Sequence, residues 1–138
     1  MTRHTTHFED RAAAVRAWAQ GWLPTEAAAE LLIGHRAWLL REDFWRVAVE
    51  VRWEVFRGQE VAAVDFAAAA SALEAGALPC SPGERAILLI AAGIAEGIPA
   101  DLREAAFRLD AAGAGLAAGA ILHAAGHRPG LAARGEGR

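Results

Sequence analysis

The chain has 138 residues, 54% of them apolar, with a net charge of -3: one domain's worth, able to bury a single core, and neither disordered nor basic in composition. Thirty-six alanines, 14 glycines, 14 arginines and 5 prolines fill half of it, while Lys, Asn and Tyr are absent. Without Lys there is no Schiff base, no pyridoxal-phosphate anchor and no P-loop lysine. With Cys80 as the single cysteine there is no internal disulfide and no Cys-rich zinc finger.

The missing residues are those whose codons carry A or T in the first two positions, as expected of a GC-rich, actinobacterial-like bacterial genome. The start, MTRHTTHFEDR, is polar, and no run reaches the ~18 apolar residues of a membrane span, so a cytoplasmic protein without a membrane partner is expected. Acids and arginines interleave, nine against eight in residues 1–60 and eight against six thereafter. Neither half offers the basic face that nucleic acid requires.

In chain order, the first amphipathic run spans 7–20, with Phe8, Ala12, Val15, Ala19 and Trp22 on one side. Gly21-Trp22-Leu23-Pro24-Thr25 then makes a corner: glycine ends a helix in the left-handed conformation, the apolar residue packs back, and proline forbids continuation. A second helix follows over 25–40.

A helix is read over 42–57, within which residues 45–56 read two ways. Trp45, Val47, Val49, Val51, Trp53 and Val55 alternate with polar residues as a strand would. Asp43, Arg46, Glu50, Glu54 and Arg57 nevertheless form a polar stripe at helical spacing, with Arg46 and Glu50 placed to pair across a turn. Helix is the expectation; the alternative is a hairpin that turns at Arg57-Gly58-Gln59-Glu60 and pairs 46–56 with 61–65.

After a helix over 65–75, a second corner, Gly76-Ala77-Leu78-Pro79-Cys80-Ser81, leads into 82–96. Ser81 and Glu84 have capping-box spacing. From Ile87 to Ala95 there is no polar stripe, so this helix should be central, with Leu88 and Leu89 both buried. The third corner, Gly97-Ile98-Pro99-Ala100-Asp101, repeats the capping spacing with Asp101 and Glu104 and opens helices over 101–109 and 111–126. A single helical domain over 1–127 and a disordered tail over 128–138 complete the reading.

Few residues spell chemistry. His123 and His127 are four apart, the spacing that lets two imidazoles share a metal, but Gly126 between them should end the helix and no third ligand is in sequence reach, so no metal is expected. His4 and His7 fall in what reads as a mobile terminus, and His35 reads as a hydrogen-bonded, partly buried histidine. Cys80 precedes a helix N-terminus, which favours a thiolate, yet a small buried residue sealing the corner is the simpler reading. Glu26 and Glu30 share a helix face, explained by the positive dipole end of that helix. All five tryptophans lie in the first 53 residues, where they could line an apolar pocket but more simply fill core.

The last helix is nearly all small residues and carries Gly113, Gly115 and Gly119 at roughly 1 kcal/mol each against alanine, so a close helix contact should offset them. An intramolecular contact at Gly115 and Gly119 is the first expectation. A second copy of the chain is the other, and with two stripeless helices in so small a domain the protein is expected to self-associate as a dimer.

The reading is thus an all-α, compact single-domain bundle of six to seven short helices around a buried central one. It would serve as a non-enzymatic protein–protein interaction, adaptor or regulatory domain without a cofactor. The alternative is a small-ligand sensor or minor enzyme using the Trp-rich half with Cys80 or His123.

Overall fold

The computed structural model describes residues 3–127, with side chains from His7 onward; the expected disordered tail, 128–138, lies outside the described residues. The element order is α1 (Arg3–Ala19), α2 (Leu23–His35), α3 (Glu42–Ala48), β1 (Val49–Glu54), β2 (Gln59–Val64), α4 (Phe66–Glu74), α5 (Pro82–Glu96), α6 (Leu102–Arg108) and α7 (Ala111–Ala124). The protein is therefore mostly helical with a small antiparallel sheet, rather than purely all-α.

The three corners form as their chemistry dictates. Gly21, Gly76 and Gly97 all have positive φ, at 102°, 78° and 69°. Ser81 and Glu84 close a full capping box at the start of α5, with Ser81 Oγ accepting from the Glu84 amide at 3.1 Å and Glu84 Oε1 from the Ser81 amide at 2.9 Å. At α6 the Asp101 carboxylate accepts from the Glu104 amide, and at α7 Asp110 accepts from Gly113. At α2 the corner differs from expectation. Leu23 already opens the helix and Pro24 sits in its first turn, where its missing N–H is harmless, while the preceding Trp22 makes no side-chain cap.

Three boundaries depart from the sequence reading. The helix expected from residue 7 begins at Arg3, so His4 lies in α1, and His7 Nε2 stands 3.8 Å from Glu42 Oε2. The helix expected over 25–40 stops at His35, where Arg36 takes φ 75° and lays its guanidinium over the Phe8 ring at 3.9 Å. That break lets Trp38 and Leu39 both reach the core, where Trp38 Nε1 donates to the Glu84 carbonyl at 2.8 Å. Arg41 grips Asp43 with two bonds of 3.0 and 2.7 Å, and its charge holds the Asp43 carboxyl below the usual carboxylate range.

The third departure is the segment expected as one helix over 42–57. Helix α3 ends at Ala48, and the chain continues as β1, paired with β2 in the register Val49↔Val64 to Glu54↔Gln59. Gly58, at φ 64°, makes the turn, and Arg57 donates to the Ala17 carbonyl of α1. β-branched Val49 and Val51 favour extended backbone once a partner strand exists, and Val61, Ala62 and Val64 of that partner are buried, with β2 packed on α1. The polar stripe that suggested a helix is instead shared between α3, one face of β1 and the turn.

Helix α5 is central, touching α2, α4, α6 and α7. Ala86, Ile87, Leu88, Ile90, Ala91 and Ala92 are buried, but Leu89 is only partly so, which corrects the expectation that it matches Leu88. Among the described residues no polar or charged residue is buried in the core.

Candidate functional site

A cleft of about 660 Å³ lies between α1, α2, the start of β2 and α7, lined among others by Arg16, Gln20, Glu26, Glu30, Gln59 and His123. Glu26 and Glu30 fall one turn apart on α2 and both face it, as their spacing implies. Each is engaged. Glu30 binds Arg16 through two bonds of 2.7 and 3.0 Å, and this pairing raises the Arg16 pKa. Glu26 stands in the first turn of α2, where its Oε2 accepts from the Gly21 amide at 2.7 Å and its Oε1 lies 3.2 Å from His123 Nε2. The helix-dipole reading of Glu26 is thus incomplete: its carboxylate also meets an imidazole 97 residues away. A carboxylate that orients an imidazole is the arrangement general acid–base chemistry uses. Among the described residues that line the cleft there is no Ser, Thr or Cys to serve as nucleophile.

The other candidates are dispersed. His127 does not share a helix turn with His123, because α7 ends at Ala124 and Gly126 takes φ 92°. The His127 amide instead donates to the Leu122 carbonyl at 2.7 Å and that of Gly126 to His123 at 2.9 Å, a glycine-based helix stop. Among the described residues no three His, Cys, Asp or Glu side chains stand close enough to hold a metal. His35 is partly buried as expected and lines a groove with Glu84, Arg108 and Asp110, but its Nδ1 is buried without a hydrogen-bond partner.

Cys80 is partly buried in a third groove beside Glu74, Arg85 and Pro99. Burial pushes its thiol pKa up, and the Arg41 charge offsets this only in part. The helix N-terminus therefore does not produce a thiolate here, and Cys80 and His123 line different cavities. The tryptophans make no common pocket either: Trp38 is core, Trp18 and Trp45 are partly buried, and Trp22 and Trp53 face outward. None of them lines the Glu26–His123 cleft.

The glycines of α7 also depart from expectation. An added Cβ at Gly115 would meet nothing within 4 Å, so no other helix of the chain approaches there. Close approach occurs instead at Gly113, whose Cβ would lie 3.3 Å from Leu109 Cδ2 and 3.8 Å from Ile87 Cδ1, and at Gly34 of α2, where it would lie 2.9 Å from Leu116 Cδ2. Helix α7 presses Gly113, Ala117 and Ala120 inward and turns Ala111, Ala114, Gly115, Ala118, Ile121, Leu122 and Ala125 outward. That outward face carries no polar side chain.

Comparison with family models, curated proteins and solved structures finds no match to this chain. Among the described residues no helix is long and apolar enough to cross a membrane. The exposure of the outer α7 face and of β1 had no signal in the sequence, because exposure is decided by what packs beside them, although the hairpin itself was open as an alternative there. The Glu26–His123 and Arg16–Glu30 pairs were equally out of reach, since no local spacing relates their partners.

Proposed function

We propose that this protein is a non-enzymatic protein–protein interaction module of adaptor type, working in a bacterial cytoplasm, with the outward face of α7 as its docking surface. One observation carries the reading: Ala111, Gly115, Ala118, Leu122 and Ala125 recur at steps of three and four, all exposed, with Ile121 beside them. Such a stripe matches the apolar side of an amphipathic partner helix, which reads i, i+3, i+4, i+7 anchors. Open space over Gly115 permits the close backbone approach for which a mid-helix glycine is retained at a cost in propensity. Soluble monomers rarely leave an unbroken apolar surface uncovered.

Ala118→Glu tests it, since Ala118 is exposed and the change should alter stability by less than about 0.5 kcal/mol. With wild type and variant as baits in an extract of the native host, a protein held by the wild type and lost with the variant is the expected result. Identical capture by both would overturn the assignment of α7. A second reading, a binding site for a small polar ligand, is favoured only by the Glu26–His123 pair within its cleft. A thermal shift by small polar metabolites that disappears in His123→Ala would support it.

A further inference from the structure

We infer that the outer edge of β1 pairs with the same edge of a second copy, joining two hairpins into one four-stranded antiparallel sheet. Among the described residues β1 pairs only with β2, so its other side is an open edge. Proteins usually blunt such edges with charged side chains, proline or a bulge. Strand β1, Val-Glu-Val-Arg-Trp-Glu, has no proline and no break in its register with β2, and its three charges alternate in sign along one face, so that they can pair with a second copy rather than repel it. Its apolar row is exposed as well: Val51 by 47%, Trp53 by 61% and Val55, just beyond the strand, by 76%.

Backbone direction narrows the possible registers. The Asp65 amide donates to the Ala48 carbonyl at 2.7 Å, which makes Ala48↔Asp65 a directly bonded pair in the same register as the sheet. Bonded and non-bonded pairs alternate along an antiparallel ladder. Glu50, Arg52 and Glu54 therefore direct their backbone groups at β2, and Val51 and Trp53 direct theirs outward. The Val49 amide is already used, donating to the Trp45 carbonyl. The open registers are those that set outward residues opposite outward residues, with the two-fold axis beside Val51, Arg52 or Trp53 and never between two residues.

Side-chain charge then selects among these registers. An axis at Arg52 would set Arg52 against itself and Glu50 against Glu54, repelling at every charged pair. An axis at Trp53 sets Arg52 of each copy opposite Glu54 of the other, twice, in the close non-bonded positions where cross-strand pairs interact most strongly. It also sets Trp53 beside Trp53 and Val51 beside Val55 on the opposite face. An axis at Val51 would match Glu50 with Arg52 but calls on the Val49 amide, whose one proton is already given to Trp45. An axis at Trp53 calls on the Val55 carbonyl, which accepts from Gly58 at 3.3 Å but keeps a second lone pair, so the register centred on Trp53 is the one assigned. The inference is independent of the α7 reading, because it uses a different surface and a different occupant.

Sedimentation equilibrium on the full chain across a concentration series tests it. The wild type should form a dimer. Arg52→Glu should weaken it by roughly tenfold or more, since both attractive pairs become repulsive. The double variant R52E/E54R should restore it, because exchanging the two charges re-creates both pairs in the Trp53-centred register and in no Val51-centred one. Val51→Pro should abolish the dimer while keeping the hairpin, since that amide points away from β2. Circular dichroism melts confirm that each variant is folded, and Arg52→Glu, on an exposed position, keeps the test alive if the proline variant is not. A wild type that stays monomeric throughout would overturn the inference. So would a dimer unaffected by Arg52→Glu, one lost in Ala118→Glu instead, or a double variant that fails to recover.

Discussion

Helices α5 and α7 start alike, each opened by a side-chain oxygen that caps the first turn, and each runs for about four turns without a polar stripe. They end in different surroundings. Helix α5 is enclosed by α2, α4, α6 and α7, whereas α7 packs chiefly on α2, and less on α5, and leaves a complete apolar face outside. Side-chain size tracks the difference: α5 is filled by Ile87, Leu88 and Ile90, while the inward face of α7 is built from Gly113, Ala117 and Ala120. Large side chains gain from being surrounded, while small ones allow close approach on one side and leave the other to a partner. Hydropathy alone points the wrong way, since the more exposed α7 is on average the more apolar of the two.

The contrast should be sharpest in Leu→Ala substitutions on α5. Leu88→Ala, at a position with no exposed area, should cost about 2–5 kcal/mol, and Leu89→Ala, on the side open to the Cys80 groove, only about 1 kcal/mol, both read from denaturant melts. Equal costs would mean that α5 is enclosed on all sides after all.

Glycine replacements in α7 should divide by face, with smaller effects. Gly115→Ala adds a Cβ in open space and should stabilise the protein by roughly 0.5–1 kcal/mol through helix propensity. Gly113→Ala puts its Cβ 3.1 Å from the capping Asp110 oxygen and 3.3 Å from Leu109, and should gain nothing or destabilise. If both stabilised equally, the inward packing of α7 would be looser than described.

The smallest effect is chemical and concerns the start of α5. With its thiol pKa raised by burial, Cys80 holds its proton in the folded state up to higher pH than an ordinary thiol. Labelling by a thiol reagent should be slow in the native protein, should rise only at a pH above that of a free thiol, and should accelerate on denaturation. Native labelling faster than a free thiol at neutral pH would mark Cys80 as activated.

Elements whose signals are local were legible. The capping box of Ser81 and Glu84, the left-handed glycines at the three corners, and the Gly126 stop that separates His123 from His127 each depend on residues within six positions. Glu26 and Glu30 sharing a face was legible for the same reason. The hairpin was not settled, because Val49 to Val55 fit a strand and a helix about equally and β2 decided between them. The orphaned His35 Nδ1, the Arg36 break that delivers Trp38 and Leu39 to the core, and the position of close approach in α7 all depend on neighbours distant in sequence.

By itself, then, the sequence determined the corners, most of the helices, the centrality of α5 and the chemistries that absent residue types exclude, because those follow from backbone stereochemistry, local hydrogen bonding and apolar spacing. Tertiary structure alone decided that residues 49–64 form a hairpin, that His123 meets Glu26, and that α7 and β1 keep one side uncovered. Those outcomes rest on which surfaces compete for one core, and a core of this size cannot enclose every apolar face the chain provides.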